Sequence, residues 1–214
     1  MTRTFDADFW DERYNSANAV WSGHPNPQLV AEAASLNPLH VSAPRTALDV
    51  GSGEGADALW LADRGWNVTA VDFSRVALQR AKEHASAMDL AGSVIWEHHD
   101  LLIWTPPAST FDLVSAQFMH LPRTDRERLY AHLAASVAIG GTLLIVGHSA
   151  TDALAGAHRP DAPDLFFTAA ELAAALEPTQ WRIQVSEARP RAGTGHDHAS
   201  ITIHDEVLRA IRLS

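Results

Sequence analysis

The sequence predicts an α/β fold in which a seven-stranded, mostly parallel sheet lies between two layers of helices, as a three-layer sandwich. Between residues 46 and 176, short apolar segments alternate with segments of helical character, which is typical of strands joined by helical crossovers. The end of the chain differs, because two extended segments, 181–189 and 198–213, are separated by only eight residues, PRAGTGHD. Without a helix between them they must pair antiparallel. The last strand is therefore expected to run against the others.

The first five strands are predicted from short apolar or β-branched runs that are flanked by turn residues. The first of them, TALDVG, ends in glycine, as a buried parallel strand often does. The five predicted strands are residues 46–51, 67–73, 93–100, 111–118 and 142–148.

Helix starts are predicted from capping residues. Ser74 can cap the helix that follows the second strand. Thr124 with Glu127, and Thr168 with Glu171, have the spacing of capping boxes, and the helix after Thr124 is expected to run to Gly140-Gly141. Residues 149–167 are expected to form a long loop.

The bulk composition bounds both the organisation of the chain and its partners. With 214 residues and 46% apolar residues, residues 45–214 are expected to form one domain, preceded by a helical lid segment over residues 1–44. The net charge of −10 and the single lysine, Lys82, argue against nucleic acid and against an anionic membrane surface. The chain has no cysteine, its acidic and aromatic N-terminal stretch has no apolar h-region, and no apolar run approaches 18 residues. A soluble cytoplasmic monomer or homodimer with a small-molecule substrate is expected.

The stretch LDVGSGEG, residues 48–55, predicts a glycine turn that binds a nucleotide-containing ligand. It fits a dinucleotide loop, with Ala56 at the third small position, and also a shorter G-x-G-x-G loop. A pyrophosphate prefers a helix N-terminus without nearby negative charge, whereas Asp49 and Glu54 stand in or beside this turn. A ligand with an ammonium group and a ribose would use these acids. The turn therefore favours S-adenosylmethionine over NAD.

The motif Asp49-x-Gly51-x-Gly53-x-Gly55, followed by Asp72 and by His99-Asp100-Leu101, resembles that of class I S-adenosylmethionine-dependent methyltransferases. The resemblance covers about residues 45–150 and implies a Rossmann-like fold, with the terminal hairpin as its sixth and seventh strands. It implies that Asp72 binds the ribose hydroxyls, that Phe73 packs on the adenine, that Asp100 accepts from the adenine amino group, and that Gln117 lies near the sulfonium. The cofactor-binding residues implied within the domain are Asp49, Gly51, Ser52, Gly53, Gly55, Asp72, Phe73, Ser74, Asp100, Leu101 and Gln117.

Plainer explanations remain open for several of these residues. Gly51 can serve only the turn, Asp100 can cap the turn at Leu101-Leu102, and Phe73 can fill the core. The resemblance by itself does not choose between these explanations.

The aromatic N-terminal segment, DFWDERY followed by VWSGHPNPQLV, resembles the lid of small-molecule methyltransferases of the thiopurine and tellurite-resistance kind. The resemblance implies that Tyr14 and Trp21 cover the methionine end of the cofactor, where aromatic faces attract a sulfonium. The alternative is an amphipathic helix that buries Phe9, Trp10 and Tyr14, and for Trp10 we prefer it. The WSGHPNP turn is a candidate hinge.

Histidines concentrate where the acceptor would bind, outside the carboxyl ends of the strands. His120 and His148 are the candidate general bases, and polar loop residues are the alternative. His24 and His158, with Arg189, Arg191, His196 and His198, are expected at the same mouth. Either arginine is a candidate for an acidic substrate group, with surface solvation as the alternative. His196-Asp197-His198 is a weak metal signal, and no metal is predicted.

The predicted activity is in-line methyl transfer to a small molecule: a thiol, a chalcogen or metalloid, or a small oxygen or nitrogen nucleophile. The absence of a recognisable base triad favours nucleophiles that need little base. A non-catalytic S-adenosylmethionine-binding protein remains an alternative. A nicotinamide-dependent oxidoreductase is less well supported, because a Tyr-x-x-x-Lys pair is missing. A nucleic-acid amine methyltransferase is disfavoured, since AQFMHLP stands where an Asn/Asp-Pro-Pro-aromatic turn is expected.

Overall fold

The computed structural model describes residues 7–16, 20, 22–34, 36, 45–153, 156–157, 159, 162–195 and 199–214. The helices are α1 Ala7–Asn15, α2 Pro27–Ala33, α3 Ala56–Asp63, α4 Arg75–Ser86, α5 Arg123–Ser136 and α6 Ala169–Ala174. The strands are β1 Arg45–Val50, β2 Trp66–Asp72, β3 Ser93–His98, β4 Phe111–Gln117, β5 Val137–His148, β6 Trp181–Thr194 and β7 Ser200–Arg212. Two short 3₁₀ turns, Ala150–Ala153 and Pro163–Leu165, interrupt the loop after β5.

The strands form one seven-stranded sheet in the order β3-β2-β1-β4-β5-β7-β6. Strands β1 to β5 pair in parallel, and β7 pairs antiparallel with both β5 and β6. Strand β6 consequently runs in the same direction as β1 to β5. The predicted fold class is confirmed, including the antiparallel last strand.

Two apolar cores, one on each face of the sheet, make the three layers. One contains Val114, Leu129 and Leu133 and involves α5 and the segment before α6. The other contains Leu29 of α2 and Leu61 of α3. Helices on both faces explain why the central strands are apolar along almost their whole length.

Two of the three predicted helix starts are confirmed. The Ser74 hydroxyl accepts from the backbone N–H of Ala77 at 3.1 Å and begins α4. Thr168 and Glu171 form a reciprocal capping box at the start of α6, with the Thr168 N–H donating to the Glu171 carboxylate at 2.8 Å. Both side chains use backbone donors that a helix end leaves unsatisfied.

The predicted capping box at Thr124 and Glu127 is wrong. Helix α5 begins at Arg123 after Pro122, which has an extended backbone and no side-chain cap. Its end is also earlier than predicted, because α5 stops at Ser136 and β5 starts at once with Val137, which pairs with Phe111. A left-handed Gly140, with φ 81°, lies where the β4–β5 register shifts. Because Pro122 is the N-cap, Thr124 already lies inside the first turn and is not the capping residue. The glycine pair belongs to a strand irregularity.

In the terminal hairpin, β6 is longer than predicted and β7 is shorter than the predicted segment 198–213. Strand β6 continues to Thr194, and β7 begins at Ser200. The pairing of β5 with β7 stops at His148 opposite Asp205, so the paired segments 190–194 and 200–204 project beyond β5. This overhang stands at the carboxyl ends of the parallel strands, where ligands bind in open sheets.

Among the described helices, none is both long and apolar enough to cross a membrane.

Candidate active site

A cavity of about 640 Å³ opens at the carboxyl ends of the parallel strands. The glycine turn after β1, the end of β2 and the N-terminal segment form one end. The residues after β4, the end of β5 and the overhanging hairpin form the other. The volume is within the range of small-molecule sites, about 300–1,000 Å³. The site is therefore assembled from segments distant in sequence.

The glycine turn owes its composition to backbone geometry and to packing. Gly51, Gly53 and Gly55 all have left-handed φ angles, 71°, 52° and 87°, which glycine adopts at little cost. A Cβ on Gly51 would lie 2.5 Å from the Met119 sulfur, and one on Gly55 would lie 2.6 Å from the Trp96 ring. Gly51, Ser52 and Gly53 line the cavity, whereas Gly55 does not. A larger residue at position 55 would collide with Trp96 of β3 and Ala81 of α4.

The acid that faces the cavity at the end of β1 is Asp49. It is buried, and among the described residues its Oδ2 atom has no hydrogen-bond partner. Burial raises the pKa of Asp49 well above its usual range, and the nearby carboxylates of Asp57 and Asp72 raise it further. A cationic group placed beside Asp49 would relieve both effects. A pyrophosphate would meet three carboxylates instead.

Asp57, in the first turn of α3, is a site residue that the sequence reasoning missed. Its carboxylate accepts from the backbone N–H of Asn26 at 2.6 Å, and burial raises its pKa to about 6. It lines the cavity with Asp49. Its position two residues after Gly55, in the first turn of the helix that follows the glycine turn, is the signal that could have identified it.

Glu54 makes contacts within the protein that the sequence did not predict. Its Oε1 atom pairs with the Arg80 guanidinium at 2.8 Å, and its Oε2 atom accepts from the Val20 N–H at 3.2 Å. The charge of Glu54 is thus used to join the N-terminal segment to α4. Glu54 and Asp57 both line the cavity.

Asp72 is held rigidly at the end of β2. One carboxylate oxygen accepts from the Gly53 N–H and the other from the Ser74 N–H, both at 2.8 Å. Burial raises its pKa, while these backbone donors lower it. Each oxygen retains a second lone pair for a ligand. Phe73 and Leu101 line the cavity beside it.

Ser74 and Asp100 do not line the cavity. Ser74 caps α4 and donates its hydroxyl proton to the Asp11 carboxylate. Asp100 is exposed, and its Oδ1 atom accepts from the Leu102 N–H at 2.9 Å. This bond matches the capping explanation. The proposed contact of Asp100 with adenine stays a prediction, as does a cofactor role of Ser74.

The N-terminal segment covers the end of the cavity that contains the glycine turn. Tyr14 is buried and lines the cavity with Trp10, 6.2 Å between ring centroids. Trp21 lies outside the described residues. Asn26 caps α2 and donates through Nδ2 to the Gln117 Oε1 at 2.9 Å, so the end of the candidate hinge turn is anchored on β4. Gln117 in turn donates to the Ser115 hydroxyl at 2.8 Å.

The other end of the cavity contains the two predicted histidines. Phe118, directly after β4, has a left-handed φ of 54° and stacks on His148 with 4.3 Å between centroids. The rings of His120 and His148 are 5.2 Å apart. Among the described residues, His120 Nε2 and His148 Nδ1 have no hydrogen-bond partner.

Burial is the main reason that both histidines are neutral at neutral pH. It lowers the pKa of His120 to about 4, with a further contribution from Arg159. It lowers the pKa of His148 to about 3, and the charges of Arg159, His120 and Arg191 lower it further. Neutral imidazoles can donate or accept hydrogen bonds, but such low proton affinities make them weak bases.

Only some of the other residues that were predicted near the acceptor line the cavity. His24 is exposed and lines the cavity, and Arg191 lines it too. Arg189 binds Glu32 of α2 instead. His158, His196, Asp197 and His198 lie outside the described residues. Within the described part of the chain, no group of three or more His, Cys, Asp or Glu side chains is arranged to hold a metal ion.

A family model described as a methyltransferase domain matches residues 47–141. The ubiquinone biosynthesis O-methyltransferase of Coxiella burnetii is 31% identical over 127 residues, which are 52% of this chain and 53% of that protein. The chain thus spans about half the length of the curated relatives it matches.

Solved structures match almost the whole chain. A protein studied for the conversion of a disulfide bond into a thioacetal group during echinomycin biosynthesis has a TM-score of 0.73 and 27% identity, covering 97% of this chain and 92% of that one. TehB from Haemophilus influenzae has a TM-score of 0.65 and 21% identity, covering 97% and 67%. At 21% identity the second likeness shows a shared fold.

Proposed function

We propose that this chain, which belongs to the class I S-adenosylmethionine-dependent methyltransferases, transfers a methyl group to a small-molecule acceptor. The observation that carries the proposal is one cavity with two chemically different ends. Buried acids surround the glycine turn at one end, and neutral imidazoles line the other. A cationic cofactor suits the first end and an uncharged or anionic nucleophile suits the second.

Asp72 would accept hydrogen bonds from the ribose hydroxyls, beside the apolar side chains of Phe73 and Leu101. The turn backbone at Gly51, Ser52 and Gly53 would approach the ribose and methionine portions. S-adenosylmethionine, when bound, supplies a methyl group on a positively charged sulfonium.

Asp49 and Asp57 would pair with the ammonium group of the methionine portion. This assignment rests on the unpartnered oxygen of Asp49 and on the raised pKa values of both acids, which a nearby cation would lower. Tyr14 would cover this portion, and Gln117 would stand close to the sulfonium. The bond from Asn26 to Gln117 supports a fixed position for that amide.

The low proton affinities of His120 and His148 support an acceptor that needs little base. A thiol or another chalcogen nucleophile fits, since it ionises readily, whereas an alcohol would require a stronger base. The likeness to the protein of the thioacetal-forming reaction supports a sulfur acceptor as well. His120 and His148 would orient the nucleophile through hydrogen bonds rather than remove a tightly held proton.

Alignment and exclusion of water would supply most of the rate enhancement. Holding two reactants in line contributes roughly 7–11 kcal/mol in well-oriented reactions. The lone pair of the nucleophile forms the new bond to carbon as the carbon–sulfur bond breaks, and S-adenosylhomocysteine leaves. Phe118 and the covering N-terminal helix α1 provide apolar walls for this step.

Calorimetry with S-adenosylmethionine, S-adenosylhomocysteine and NAD tests the cofactor assignment. We expect both adenosyl ligands to bind and NAD not to bind. A screen with methyl-labelled cofactor and a panel of thiols, selenite, tellurite, phenols and amines then tests the acceptor. Binding of NAD alone would contradict the cofactor assignment, and labelling only of phenols or amines would contradict the preference for sulfur.

A further inference from the structure

Arg191, on the overhang of β6, presents a guanidinium group to the end of the cavity that contains His120 and His148, called here the acceptor end. Its Nε atom donates to both carboxylate oxygens of Asp205, at 2.9 and 2.8 Å. Among the described residues, neither terminal nitrogen of Arg191 has a hydrogen-bond partner. The Arg191 side chain is 32% exposed, so the group is reachable from the cavity. Its donors are therefore fixed in place and available.

Asp205 is an anchor for this arginine and is itself held. It is fully buried, and it also accepts from the side-chain amide of Gln28 in α2 at 3.2 Å. The other arginine nearby on β6, Arg189, uses its donors within the protein. It donates to Glu32, Glu187 and Gln28. Arg189 joins the hairpin to α2, whereas Arg191 extends toward the ligand space.

Arg191 adjoins the residues that would contact the methyl acceptor. Its guanidinium carbon lies 5.9 Å from the centroid of the Phe118 ring, and that ring stacks on His148. The cavity thus offers a planar cation, an aromatic face and two neutral imidazoles in succession. This combination matches a small acid whose anionic group and nucleophile are separated by an apolar body.

We propose that Arg191 binds a carboxylate of the methyl acceptor, so that the substrate of this site is a small monoanionic organic acid. The inference rests on the proposed methyltransferase function. The planar fork of an arginine matches a carboxylate in a bidentate arrangement. A dianion such as a phosphate monoester fits less well, because the buried Asp205 carboxylate stands directly behind Arg191.

The test uses thiosalicylate and its methyl ester as a matched pair of probes, with 3-mercaptopropionate and its methyl ester as an aliphatic pair. Binding is measured by calorimetry on protein saturated with S-adenosylhomocysteine, so that no turnover is needed. We expect each acid to bind at least tenfold more tightly than its ester, because charge-assisted hydrogen bonds contribute roughly ten- to hundredfold in affinity.

Two variants assign the effect to Arg191. Arg191→Gln removes the charge, and Arg191→Lys keeps a cation beside Asp205 but lacks the planar fork. Both should lower the affinity for the acid by roughly tenfold or more and leave the affinity for the ester unchanged. Arg182→Gln, an exposed arginine on the same strand, is the control and should change neither.

Equal binding of acid and ester, absence of binding by either acid, or an equal effect of Arg191→Gln on acid and ester would overturn the inference while S-adenosylhomocysteine still binds. Failure of S-adenosylhomocysteine itself to bind would overturn the proposed function, and this inference with it.

Discussion

The two ends of the cavity respond to burial in opposite directions. At the glycine turn, burial raises the pKa values of Asp49, Asp57 and Asp72. At the acceptor end, burial lowers the pKa values of His120 and His148. The physical cause is the same, since a site with little water disfavours whichever form is charged.

The difference lies in what each end gains from a ligand. A bound cation stabilises ionised carboxylates at the glycine turn, so binding there is coupled to loss of a proton. Neutral histidines are already in the state that can accept a hydrogen bond from a nucleophile. Under the proposed function, a ligand would complete the glycine-turn end, whereas the protein alone sets the protonation state of the histidine end.

The largest expected effect concerns the cofactor end. Asp72→Ala removes the proposed acceptor of the ribose hydroxyls and the anchor of the Gly53 N–H. We expect the affinity for S-adenosylhomocysteine to fall by roughly a hundredfold or more, as loss of two hydrogen bonds to a charged group implies. Calorimetry measures it, with the exposed Asp89→Ala as control and circular dichroism as a check of folding. An unchanged affinity would exclude the ribose role.

The second effect concerns the stability of the acceptor end. A histidine whose pKa is lowered on folding contributes stability above its unfolded pKa of 6.5, and this is lost as the pH falls toward the folded value of about 3 for His148. Between pH 7 and pH 5, the free energy of unfolding of the His148→Gln variant should therefore fall by about 2 kcal/mol less than that of the unmodified protein.

Urea unfolding at the two pH values measures this difference. The raised pKa of Asp57 acts in the opposite sense, because the folded state then binds the extra proton, and stability falls as the pH rises from the usual value to about 6. This contribution is common to protein and variant and cancels in the comparison. His132→Gln on α5 is the control, and an equal loss of stability in the unmodified protein and the His148 variant would contradict the prediction.

The smallest expected effect links protonation to the cofactor. If Asp57 pairs with the ammonium group, affinity for S-adenosylhomocysteine should fall by up to about tenfold per pH unit below pH 6. Asp57→Asn should weaken binding at neutral pH and reduce this dependence on pH, with calorimetry between pH 5 and pH 8 as the measurement. Methylthioadenosine has no ammonium group and should bind independently of this acid. The same pH dependence for methylthioadenosine would argue against the pairing.

The contrast between local and long-range contacts explains which features could be predicted from the sequence. The fold and the cofactor end follow short-range rules: the strand before Gly51, the glycine turn, and an acid at the end of the next strand are adjacent or regularly spaced. The capping box at Thr168 is equally local, and it was predicted correctly. At Thr124 the same pattern failed, because Pro122 is the N-cap and the helix begins at Arg123, so that Thr124 lies inside the first turn.

Two features of the site depend on contacts between residues that are distant in sequence, one at each end of the cavity. Asp205 meets Gln28 across 177 positions, and Glu54 finds Arg80 through the packing of α4. Local spacing carries no signal for either pair, so the sequence assigned Glu54 to the ligand and overlooked Asp205. His120 and His148 were placed correctly at one mouth because the carboxyl ends of parallel strands share an edge.

Helix α2 touches both halves of the cavity through residues only two positions apart. Asn26 reaches Gln117 and Asp57, and Gln28 reaches Asp205. The N-cap and first turn of α2 thereby connect the two ends of the cavity. Under the proposed function, this connection would set the distance between methyl donor and methyl acceptor.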